Sequence, residues 1–180
     1  MLSTKEYIET HIKQVRKWIS YFSSILLHRA MVHDESKLVE PEYSAWKKMD
    51  EEPRYPYGTK EYKDKLQRFN YVFQLHWKNP KNRHHPEHFE SILDMDLVDL
   101  IEMLCDWLGY RSTLTYTQAS ELVNSQCDRY NFSEDIRQLI LNTFANYFVS
   151  FGGIDLISDA DKAIASLRDI DDSNLIDIKV

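Results

Sequence analysis

A histidine and an aspartate stand side by side at His33-Asp34. An imidazole nitrogen and a carboxylate oxygen are both ligands for a divalent ion, and a carboxylate can also bridge two ions. The dipeptide alone says little, because His-Asp pairs arise by chance in many chains. His11, His76 and Asp106 add weight, since each falls among apolar neighbours on a different predicted helix. A polar group in a core costs about 1–3 kcal/mol or more unless it finds a partner or an ion. Asp106, inside Leu-Cys-Asp-Trp-Leu, illustrates the problem. A further group, His84-His85 with His88, follows a proline-containing loop in the run His-His-Pro-Glu-His. Together these residues read as one polar site converging inside a helical bundle. Nitrogen and oxygen ligands without thiolate suit one or two ions of Mn, Fe, Co, Ni or Zn rather than a cysteine-type structural zinc.

Helices must position these groups. Ser3 and Glu6 fit a capping box, and Ile8, Ile12, Val15, Ile19, Phe22 and Leu26 recur at steps of three or four. That pattern predicts a helix to about Leu27 or beyond, with its stripe facing a core. Pro41 suits a new helix start, and residues 53–59 form a loop. A single helix is predicted from Lys60 to Trp77, with a stripe ending on His76 where an apolar residue would be expected. Asp94 or Asp96 can cap the next helix, which carries Asp106 and closes near Gly109. Thr117 is predicted to cap residues 118–130 and Ser133 to cap 134–151, with Gly152-Gly153 as a stop. Residues 154–180 are acidic, with scattered Ile and Leu.

Composition bounds the reading. With 180 residues, 43% apolar and 13% aromatic, the chain can bury a core, and four glycines are too few for a fold of tight hairpins. The net charge of -7 argues against a general nucleic-acid binder, which draws its affinity from Lys and Arg. No apolar run approaches the roughly 18–20 residues of a membrane span, and the first ten residues carry no signal-peptide core. Cys105 and Cys127 do not form a CxxC pair and are expected to be buried free thiols. The expected setting is cytoplasmic, with no membrane partner and with oligomerisation left open.

In order along the chain, these groups resemble the HD-domain metal-dependent phosphohydrolase superfamily. Its pattern is a first-helix His, then His-Asp, further His and a late Asp; here it reads His11, His33-Asp34, His76, His84-His85 and Asp106. His-Asp-Glu-Ser-Lys at residues 33–37 is similar to the His-Asp-x-x-Lys form of the cyclic-dinucleotide branch. The Gly-Tyr-Pro motif of that branch is absent, Ser36 replaces a Gly, and His76 and His84 lie only eight residues apart. The chain also resembles a small phage and bacterial family with HDxSK, NxHHPE and EMxxDW signatures, over roughly residues 5–110.

The resemblance implies an all-α, compact, HD-domain-like bundle; with extra C-terminal helices it would occupy residues 1–151, and the sequence beyond it, 152–180, reads as an acidic tail or a short helix. It implies a hydrolase of a phosphoester, on a nucleotide or a small phosphorylated metabolite, in which a metal-bound hydroxide attacks phosphorus. One metal would be held by His11, His33, Asp34 and Asp106, and Asp34 would bridge to a second held by His76 and His85, with His84 an alternative ligand. Asp34 and Lys37 are the candidate catalytic residues, the lysine one turn on to neutralise a phosphate oxygen. Glu102 shares a helix face with Asp106 and can orient a histidine ligand. Asn82, Arg83 and Glu87 are candidates for supporting the ligands or touching substrate. Tyr43, Trp46, Trp77 and Trp107 could stack on a base. The competing readings are a di-iron oxygenase of HD fold, a non-catalytic nucleotide- or protein-binding module, and a helical interaction protein.

Overall fold

Ser3 opens the first helix by reciprocal capping. Its hydroxyl accepts from the Glu6 amide at 3.3 Å, and its own amide donates to the Glu6 carboxylate at 2.8 Å. The computed structural model describes residues 3–109 and 115–148, and every regular element among them is helical. The order is α1 (Thr4–Val32), α2 (Glu42–Asp50), α3 (Lys60–Arg68), α4 (Asn70–Trp77), α5 (Leu97–Gly109), α6 (Tyr116–Arg129) and α7 (Glu134–Phe148), with short 3-10 turns at Glu35–Leu38, Pro86–His88 and Ile92–Asp94. The fold class is all-α. The expected tail beyond residue 151, with its Gly152-Gly153 stop, lies outside the described residues.

Two compact units can be distinguished. The first comprises residues 3–109 with 128–132, and the second 115–127 with 133–148. In the first unit α1 packs on α5, α2 on α4, and α3 on α4. Ala45, Phe69 and Val72 form a small core, with Trp46, Met49 and Leu75 packed around it. In the second, Ala119, Val123, Cys127, Ile140 and Phe144 are buried.

Several local expectations are corrected. The helix predicted from Lys60 to Trp77 is two helices, broken at Phe69 with φ -99° and ψ 14°. Phe69 is buried beside Ala45 and Val72, so core packing overrides a continuous helical pattern at this residue. Thr115, not Thr117, caps α6, in a box with Gln118 (3.3 and 3.0 Å). Of the two residues expected to cap α5, Asp96 does so, accepting from the amides of Val98 and Asp99, and Asp94 closes the short turn begun by Ser91. Pro41 precedes α2 as its N-cap. Helix α1 runs past Leu27 to Val32 but buries no residue at all. Its stripe from Ile8 to Phe22 stays 41–62% exposed rather than facing a core. Cys105 is exposed rather than buried as expected, and Cys127 is buried.

Candidate metal centre

Asp34 is the hub. It follows the C-terminus of α1 in the left-handed conformation, φ 57° and ψ 10°, as N-cap of the Glu35–Leu38 turn. Aspartate is among the few residues that adopt this region readily, because its short side chain can bond locally. The turn directs the carboxylate back towards three histidines. His76 Nε2 lies 3.1 Å from Asp34 Oδ1, and His84 Nε2 lies 3.6 Å from the same oxygen. His33 Nε2 lies 3.6 Å from Asp34 Oδ2 and 3.6 Å from Asp106 Oδ1.

Carboxylates on the far side orient the rings. His76 Nδ1 donates to Glu42 Oε2 at 2.7 Å, and Glu42 also accepts from Ser36 at 3.0 Å and Asn79 at 2.8 Å. His33 Nδ1 donates to Glu102 Oε1 at 2.8 Å. His84 Nδ1 sits 3.1 Å from that same oxygen, out of line for a hydrogen bond. A carboxylate can only accept, so Glu42 and Glu102 hold a proton on Nδ1 of His76 and of His33, and Nε2 is the nitrogen that faces Asp34. This carboxylate–imidazole arrangement is the one that accompanies metal-ligating histidines.

The consequence is a set of stranded atoms. Asp34 Oδ1 and the Nε2 atoms of His76, His84 and His85 are all buried without a hydrogen-bond partner. Each such atom would cost about 1–3 kcal/mol if left alone. A cation satisfies them together. Two ligand atoms about 2.1 Å from one ion at a tetrahedral angle lie about 3.4 Å apart, and the separations from Asp34 bracket that value. Two overlapping ligand groups result: His33, Asp34, His84 and Asp106 in one, and Asp34, His76, His84 and His85 in the other, with ligand atoms within 4.8 Å of one another in each. The residues fit one ion or two. With two, Asp34 would bridge, and the inward-facing nitrogen of His84 would serve one of them.

Protonation follows the same geometry. Burial alone would raise the Asp34 carboxyl, but the neighbouring His76 and His84 imidazoles and the hydrogen bond from Lys37 outweigh it and hold the group well below the carboxylate range. Glu102 is lowered in the same way, burial being outweighed by His33 and His84. For Glu42 the bonds from Asn79, His76 and Ser36 overcome burial. His33 is raised to about 10 by its contacts with Asp106 and Glu102. His85 is pushed down to about 3, first by burial and then by the neighbouring His84 and His76 charges. An imidazole that resists protonation keeps a lone pair available for an ion.

The remaining sequence candidates fall into place around this centre. His11 is corrected: it is exposed on α1, 22 residues from His33 on the same helix, which puts it about 33 Å away along the axis. Lys37 Nζ lies 2.5 Å from Asp34 Oδ2 and 5.1 Å from the Trp46 ring centre. Asn82, buried, donates to Ser36 Oγ and to the His76 carbonyl. Arg83 pairs with Asp99 at 2.7 Å, away from the ligands. Glu87 accepts from Tyr130 at 2.7 Å and ties the His84-His85 loop to residues 128–132. His88 Nδ1 meets the Trp77 carbonyl at 2.8 Å.

Four residues were missed in the sequence. Glu42 and Ser36 are buried beside His76, and Arg29 bonds Glu102 at 2.5 Å and Asp99 at 3.0 Å. Asp99, fully buried between Arg29 and Arg83, carried the same signal as Asp106: a carboxylate in the apolar stretch Asp-Leu-Val-Asp-Leu-Ile. Glu42 and Arg29 had no comparable signal.

Residues 1–146 match a family of unknown function (DUF5662). The chain belongs to that family. The matched span contains every residue of the DUF5662 site described above. No curated protein and no solved structure matches the chain.

Proposed function

We propose that the protein is a metal-dependent phosphohydrolase, acting on a phosphoester with one or two divalent transition ions held around Asp34. The observation that carries this reading is the pair of ligand groups sharing Asp34 and His84, with Nε2 atoms turned inward by Glu42 and Glu102. A divalent ion there would supply a water of lowered pKa and neutralise charge developing on a phosphoryl group. The chain's own residues do the rest. Asp34 and Asp106 hold negative charge against the ion, and Glu42 and Glu102 keep the imidazoles in the liganding tautomer. Lys37, beside Asp34, is placed to pair with a phosphate oxygen. In the overall reaction a water oxygen bonds to phosphorus, the phosphorus–ester oxygen bond breaks, and the alcohol leaves with a proton. Among the described residues no helix is long and apolar enough to cross a membrane.

The test is metal content per chain in protein purified without chelator, for wild type and Asp34→Ala, followed by a phosphoester screen. One to two equivalents of transition metal, lost in the variant, support the reading. Absence of metal after reconstitution with Mn, Fe, Co, Ni and Zn refutes it.

A further inference from the structure

A phosphoester substrate also has a body, and the fold provides a place for it. Beside the metal centre, between α1 and α5, lies a cavity of about 540 Å³. This is within the usual range for a small-molecule site of about 300–1,000 Å³. One end is formed by His33, Asp34, Lys37 and Asp106. The rest of the wall includes Leu26 and Ala30 of α1 and Ile101 and Cys105 of α5.

The chemistry of that wall is selective. Among the described residues, one arginine and one lysine line it, and both are engaged: Arg29 with Glu102 and Asp99, and Lys37 with Asp34. Among the described residues of the lining, no cation is left for a second or third phosphate. Among the described residues of the lining, His33 is the only ring, and none carries an amide or hydroxyl side chain to read the edge of a base. Trp107 and Trp46, which could have stacked on a base, do not line this cavity. Trp107 stacks on Tyr130 with ring centres 6.2 Å apart, and Trp46 packs edge-on against Phe73 at 5.5 Å.

We propose that this cavity holds the uncharged aliphatic part of a substrate bearing a single phosphate, so that the protein acts on an alkyl-type phosphate monoester in preference to a nucleotide. The inference rests on the phosphohydrolase reading. It narrows the substrate class from the walls of the cavity, not from the ligands. The phosphate would lie at the Asp34 and Lys37 end, and the carbon chain would lie along Leu26, Ala30 and Ile101.

The test is calorimetric binding to metal-reconstituted protein of inorganic phosphate and of methyl-, butyl- and hexylphosphonate, whose C–P bonds resist hydrolysis, with adenosine monophosphate for comparison. Burial of a methylene strengthens binding about fourfold when complete and about twofold when partial, so methyl to hexyl should gain roughly thirtyfold. Ile101→Asn and Ala30→Asp should each reduce that ratio to about threefold or less. Hexylphosphonate should also slow labelling of the exposed Cys105 thiol in the cavity wall, and methylphosphonate should not. A flat series in wild type that binds metal and phosphate overturns this proposal and leaves the hydrolase reading standing, as does tighter binding of adenosine monophosphate than of hexylphosphonate. Failure to bind metal or phosphate at all overturns both.

Discussion

Replacing Glu42 by glutamine probes whether the carboxylates behind the histidines tune the site. Glu42 is only 2% exposed, and both oxygens are used: Oε1 accepts from Asn79 at 2.8 Å, Oε2 from His76 at 2.7 Å and Ser36 at 3.0 Å. An amide offers one acceptor and one donor. If its NH₂ faces His76, Nδ1 must accept, and the proton moves to Nε2, the atom meant for the metal. If it faces Asn79, two donors oppose each other, and His76 keeps its tautomer but loses the basicity lent by a charged partner. Outer carboxylates of this kind are worth about 10–100-fold in metal affinity, or about 1.4–2.7 kcal/mol. The assay is competition with a chromophoric chelator for Zn or Mn on wild type and Glu42→Gln, with the melting temperature of each metal-free protein as a control for folding. Affinity within about threefold of wild type in a folded variant would show that Glu42 does not act through His76, and the argument from tautomers would fail with it.

The other expected outcomes are simpler. His11→Ala should leave metal stoichiometry unchanged, because His11 is exposed far along α1; loss of metal would restore it as a ligand. Metal uptake should release protons at neutral pH, since His33 is raised to about 10 and holds a proton that the ion must displace. Affinity should therefore climb towards about pH 10, and calorimetry in two buffers of different ionisation enthalpy should show the release; equal heats in both would contradict it. In the metal-free protein the same shift works in the opposite direction. The His33 contribution to stability is complete below its unfolded pKa of about 6.5 and is lost as pH rises through about 10. Asp99→Ala leaves Arg29 and the partly exposed Arg83 without a fully buried partner. Because Arg29 keeps Glu102, the change should cost about 1–3 kcal/mol in denaturant unfolding, and a loss under about 0.5 kcal/mol would refute that role.

Sequence alone carried the all-helical class and the residue types of the site. Helical periodicity and capping are local properties, so the boxes at Ser3 and Glu6 and the cap at Ser133 could be read without tertiary information. His33-Asp34, His76, His84-His85 and Asp106 stood out because ionisable groups in apolar stretches need a reason to be there. The three-dimensional arrangement determined what periodicity could not express. An apolar stripe specifies that a face is to be covered but not by what, and the α1 stripe proved exposed, carrying His11 away from the centre. The break at Phe69 came from burial beside Ala45 and Val72, contacts remote in sequence. Glu42 reaches His76 across 34 residues, and Arg29 reaches Glu102 across 73. Such pairings depend on the packing of α2 on α4 and of α1 on α5, which is why the candidate ligands stood out in the sequence and Glu42 and Arg29, behind them, did not.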